Sequence, residues 1–182
     1  MAEKKPVQSV LPPKGRVHAV LVGAAIILLT TTVPYLTILN IFLFSGIFIA
    51  GAVALHYTIL RFQVRLPYSE AYLTGCLAGL AGGALSELAG FLFMEFFNYR
   101  PGSESLSLVI GWMLDMAKGR PDLQGQVQQL LEAEKLALAP VNMTLADLLV
   151  NMGVSGVMYG LIAGIGGAFA VYRLKRLAAR GR

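Results

Sequence analysis

The stretch TGCLAGLAGGALSELAG, residues 74–90, is dominated by glycine, alanine and leucine and carries one acid, Glu87. Its glycines recur at Gly75, Gly79 and Gly83, and Glu87 is the next step of four. Residues four apart share one face of an α-helix. In water such a helix would be weak, because each interior glycine costs roughly 1 kcal/mol relative to alanine. In lipid the same ladder has a use. Small residues let two helix backbones approach, and close packing replaces the hydrophobic drive that lipid withholds. The stretch therefore predicts a membrane-embedded packing helix with an acid on its packing face.

The rest of the chain supplies that solvent. Of its 182 residues 56% are hydrophobic and only 14% are charged, against about a quarter charged in soluble domains. The apolar residues come in blocks. Val17 to Leu60 holds no Asp, Glu, Lys or Arg, which is about two spans of roughly 20 residues each. Pro34 breaks that run, since it has no N–H to donate. The reading is an all-α, four-helix transmembrane bundle, one membrane domain over 17–172. Its spans are placed near 17–33, 37–60, 69–96 and 147–172, between basic tails at 1–16 and 173–182. The sequence TLAD at 144–147 has the form of a capping box and opens the last span.

The loop at 99–143 is the only sizeable one. In it Leu106, Val109, Ile110 and Met113 fall at helical spacing, with Trp112 beside them, as in a helix lying at a membrane interface. A second amphipathic helix follows, with Pro121 at its start and Leu123, Val127, Leu130 and Leu131 on one side.

Charge sets the expected topology. Lys4, Lys5, Lys14 and Arg16 precede the first span, Arg61 and Arg65 sit between the second and third, and Arg173, Lys175, Arg176, Arg180 and Arg182 follow the fourth. The 99–143 loop mixes four cations with Glu104, Asp115, Asp122, Glu132 and Glu134. The positive-inside rule places both termini in the cytoplasm and that loop outside, in the inner (cytoplasmic) membrane. The basic tails are then expected to touch anionic lipid headgroups. No aromatic-interleaved basic motif points to nucleic acid.

The last span repeats the glycine ladder at Gly156, Gly160, Gly164 and Ala168, and the second has a shorter one at Gly46, Ala50 and Ala54. Spans 3 and 4 are expected to form a tight pair. The same pattern would also suit a homo-oligomer face or a membrane-protein partner. Glu87 lies about nine residues, or ~13 Å, from the outer end of its span. An equal distance inward from Asp147 reaches Ser155, with Tyr159 one turn on. A carboxylate in hydrocarbon needs a donor or a proton, so Glu87, Ser155 and Tyr159 form the candidate polar site.

Other chemistry is thinly represented. His18, His56 and Glu70 fall near one end without metal-ligand spacing, and no metal or cofactor is expected. Cys76 alone cannot form an intramolecular disulfide. The sequence GVSG at 153–156 has the form of the serine motif of rhomboid intramembrane proteases. That chemistry needs a histidine base at the same depth, and both histidines are placed at the other end. No enzyme is expected.

LPYSEAYLTG opening the third span, FFNY closing it, the glutamine- and glutamate-rich QVQQLLEAEKL and the glycine-rich last span together resemble the bacterial family named domain of unknown function 4199. The resemblance implies a small four-span membrane protein and supplies no catalytic residues. The expected function is a non-enzymatic scaffold or accessory subunit. The rival expectation is a small oligomeric transporter or channel that uses Glu87 for proton or cation coupling.

Overall fold

A computed structural model describes residues 10–118, 124–139 and 143–180. Every regular element among them is a helix: α1 (Pro13–Thr32), α2 (Ile38–Ile41), α3 (Ser45–Phe62), α4 (Tyr68–Phe97), α5 (Ser103–Ala117), α6 (Gln124–Leu138) and α7 (Leu145–Arg180). Helices α1, α3, α4 and α7 are long and apolar enough to cross a bilayer, and they pack against one another. The exposed residues are large and apolar, such as Leu21, Leu73, Val157 and Ile165, while the buried ones are mostly glycine and alanine. That is the reverse of a soluble bundle, and it is how a multi-pass membrane protein divides its residues between lipid and helix contacts.

The chain runs up and down. A Cβ built at Gly23 of α1 would meet Ala78 of α4, and one at Gly82 of α4 would meet Ile27 of α1, so these two helices run parallel. Helix α7 runs antiparallel to α4, with Gly75 facing Ala163 and Gly83 facing Ser155. The ends of α3 and α7 and the starts of α1 and α4 therefore share one end of the bundle. This end carries Arg16, Arg61, Arg65, Arg173 and Lys175 and is called the basic end below.

Three boundaries depart from the sequence reading. The first helix starts at Pro13, inside the expected tail, because Pro12 is extended and Pro13 sits at the first helical position, where its missing N–H costs nothing. Residues 1–9 of that tail lie outside the described residues. The second spanning helix starts at Ser45 and not at 37. Leu43 and Phe44 both adopt the left-handed region, at φ 54, and separate α3 from the short α2. Bulky residues enter that region only under tertiary constraint. Here the Asn40 side chain donates to the Thr30 carbonyl at 2.9 Å and ties α2 to the end of α1, and Ser45 bonds the Leu39 carbonyl. A break made of apolar residues leaves no mark on hydropathy.

At the other boundary, α7 continues through the expected C-terminal tail to Arg180. It opens with a reciprocal capping box: the Thr144 amide donates to Asp147 Oδ2 at 3.0 Å, and the Asp147 amide donates to Thr144 Oγ1 at 3.2 Å.

Between the third and fourth spanning helices lie α5 and α6. The Thr37 hydroxyl donates to Ser105 Oγ at 2.5 Å, and Ile110 is buried. Tyr99 donates to Glu104 Oε2 at 3.0 Å. Burial first, and Glu104 beside it second, push the Tyr99 phenol above its usual range. Helix α6 packs on α5. Trp112, Met113 and Met116 are exposed. Pro121 and Leu123 lie outside the described residues.

Candidate functional site

The most extensive helix pairing in the molecule is α4 with α7, and its seam is made of backbone. A Cβ placed at Gly75 would lie 2.5 Å from the Ala163 carbonyl oxygen, and one at Gly83 would lie 2.7 Å from the Ser155 carbonyl oxygen. At Gly79 the obstruction is the Tyr159 carbonyl. No residue with a side chain fits these three positions without moving a neighbouring helix. On the α7 side two positions are looser, Gly156 and Gly160. A Cβ at Gly156 would first meet Leu80 at 3.4 Å, and one at Gly160 would meet the Cys76 carbonyl at 3.2 Å. At Gly164 the Cys76 Sγ would be 2.6 Å away.

The ladder on α7 does not end where a step of four would put it. Gly167, not Ala168, faces the Ala71 carbonyl, at 2.6 Å from a built Cβ. Four residues overshoot one helical turn by about 40°, so a long contact must drop back to a step of three. Helix α4 likewise carries two small-residue stripes. Ala78, Gly82 and Ser86 turn toward α1, while Gly75, Gly79 and Gly83 turn toward α7.

Glu87 stands where the α4 seam ends. The Ser155 hydroxyl donates to Glu87 Oε1 at 2.5 Å. Serine hydroxyls in helices commonly fold back on the carbonyl one turn earlier, as Ser86 does on Gly82 at 2.7 Å. Ser155 instead reaches across the helix pair. Its carbonyl faces Gly83 and its hydroxyl holds Glu87, so one residue serves two turns of the partner helix. Both side chains are half-buried. Tyr159, the third candidate, makes no hydrogen bond to either among the described residues, though it lies within electrostatic reach of Glu87. Its ring turns to Phe44, with centroids 6.3 Å apart, and its contribution to the seam is its carbonyl.

A second polar bridge joins α1 and α4, where the Thr31 and Ser86 hydroxyls lie 2.7 Å apart. It escaped the sequence reading because threonine and serine in apolar helices bond their own backbone as readily. Also missed was the second small-residue face of α7. Carbonyls obstruct a Cβ at Gly51 of α3, facing Ala163, and at Gly166 of α7, facing Phe48. The Gly166–Gly167 pair was the available signal, one glycine for each of two neighbours.

At the basic end two side-chain pairs join the helices. Arg16 donates to Glu70 Oε1 through Nη2 at 2.6 Å and Nε at 3.0 Å. Arg61 Nη1 lies 2.7 Å from His18 Nε2, within hydrogen-bond distance. His18 also lies edge-on to Tyr57, with centroids 5.6 Å apart. These bonds fasten α1 to α3 and α4. They leave His18 at the opposite end of the bundle from Ser155, so the serine of GVSG has a carboxyl partner and no imidazole.

No protein-family model, no curated protein and no solved structure matches this chain.

Proposed function

We propose that the chain is a non-enzymatic scaffold or accessory subunit of the inner membrane. Both termini face the cytoplasm, and α5 and α6 are displayed outside. The observation that carries this reading is the α4–α7 seam. Its α4 glycines meet carbonyls without room for a methyl group, and its one acid accepts a hydrogen bond from the partner helix. A seam closed by backbone suits a rigid support better than a path for a solute. The exposed Trp112, Met113 and Met116 of α5 offer a membrane-protein partner or the lipid surface an apolar face. The basic tails complement anionic lipid. Membership of the domain of unknown function 4199 family belongs to the same proposal.

The rival is a small oligomeric transporter coupled to Glu87, and what favours it is the acid itself. Ionisable residues within membrane spans commonly serve ion pathways, and Glu87 has a single side-chain donor among the described residues. Glu87→Gln separates the two. An amide oxygen still accepts from Ser155, so on the scaffold reading proton and cation flux across reconstituted liposomes equals that of wild type. A folded Glu87→Gln protein with flux cut tenfold or more, roughly the weight of one functional charge, would replace the scaffold reading with the rival. Recovery of a stoichiometric partner from native membranes would identify what the scaffold serves.

A further inference from the structure

At the basic end, between the α3–α4 link and the last turns of α7, lies a groove of about 440 Å³. That is within the roughly 300–1,000 Å³ of typical ligand pockets. Its floor is Ile59, Val64, Leu66 and Val171, all buried and part of one apolar cluster. Its cations are Arg65 and Lys175, and none of its lining residues is acidic. Arg65 is exposed and forms no ion pair among the described residues. The Lys175 ammonium sits over the Tyr68 ring, 4.1 Å from its centroid. The ring holds that charge beside the link and leaves N–H donors of the ammonium for an oxyanion.

We infer that this groove binds one anionic phospholipid, its phosphate taken by Arg65 and Lys175 and an acyl chain laid along the apolar floor. Two unopposed cations favour a headgroup with net negative charge. A zwitterionic headgroup brings its own ammonium and gains less. A guanidinium fork matches phosphate oxygens in pairs. An anion without a chain would leave the apolar floor in water. The groove also lies where α3 ends and α4 begins, the level at which a lipid headgroup meets its chains. The inference rests on the four helices crossing a bilayer and is independent of the accessory-subunit reading.

The test is native mass spectrometry of the detergent-solubilised full chain, titrated with dioleoylphosphatidylglycerol or dioleoylphosphatidylcholine. Wild type is expected to retain one phosphatidylglycerol per chain in preference to phosphatidylcholine. Arg65→Gln and Lys175→Gln should each weaken retention about fivefold, the weight of one cation at an anionic surface. Ala178→Phe fills the groove with both cations intact and should weaken retention as much, with Ala179→Leu as the alternative filler if the first variant melts early. Arg180→Gln, off the groove on the same helix, should change nothing. Excess glycerol phosphate should not displace the lipid. Equal retention of the two lipids would overturn the inference. So would an Arg180→Gln loss as large as that of Arg65→Gln, undiminished binding in a folded filler variant, or displacement by glycerol phosphate.

Discussion

The α4–α7 seam and the α5–α6 segment are both helical and both rich in apolar residues, yet they are held by different means. In the seam, glycines of α4 meet carbonyls of α7 over successive turns. In the segment, α5 is attached by a hydroxyl pair and a few buried side chains, and α6 rests chiefly on α5. Lipid explains the contrast. Between helices surrounded by hydrocarbon, apolar area has no premium, so association depends on close approach and on polar groups with no other partner. At an interface, apolar faces can be satisfied by headgroup and chain boundaries as well as by protein, and the fold does not need to close over them.

The largest test of that contrast is a methyl group placed on each side of the seam. Gly79→Ala puts a Cβ into the Tyr159 carbonyl, and unfolding in mixed micelles should show a loss of about 2 kcal/mol. Gly156→Ala meets its first atom at 3.4 Å and should change stability by under about 0.5 kcal/mol, since alanine's helix preference offsets the crowding. Equal losses would mean that the two faces share the strain and the asymmetry is false.

A smaller effect belongs to the polar end of the seam. Ser155→Ala removes the Glu87 donor and should cost about 1 kcal/mol, near the upper part of the range for hydrogen bonds between membrane helices. Glu87→Gln keeps an acceptor and should stay within about 0.5 kcal/mol of wild type in the same assay. If the two variants exchanged ranks, the acid would be acting as a charge and not as a neutral partner.

The most local effect belongs to the α5–α6 segment. Thr37→Val removes the hydroxyl that reaches Ser105. Amide exchange in α5 should quicken about fivefold, the worth of one hydrogen bond, while exchange in α4 and α7 is unchanged. Faster exchange in the spans would show that α5 braces the bundle and does not merely hang from it.

Much of the fold was legible because period and composition are local properties. The glycines at 75, 79 and 83 marked one face of α4 before any partner was known, and the charge-free run from Val17 to Leu60 required two crossings. Counting residues inward from the two helix ends brought Ser155 level with Glu87, because helical rise is nearly constant. Tyr159 fell within the same count, but the count gives depth and not rotation, and its ring turned to Phe44. The start of α3 escaped notice because Leu43 and Phe44 read as helix-forming apolar residues and bend only in their tertiary setting.

By itself the sequence determined the solvent, the number of crossings, one small-residue face on each of α3, α4 and α7 and the one acid among them. All of these follow from side-chain size, charge and the 3.6-residue turn. Only the tertiary structure decided that α7 would use two small faces at once, that the ladder would drop from Gly164 to Gly167, and that the Ser155 hydroxyl would cross to Glu87 in place of its own backbone. Those outcomes depend on how two surfaces fit, and the fit of a glycine to a particular carbonyl is a property of the pair, which neither helix carries alone.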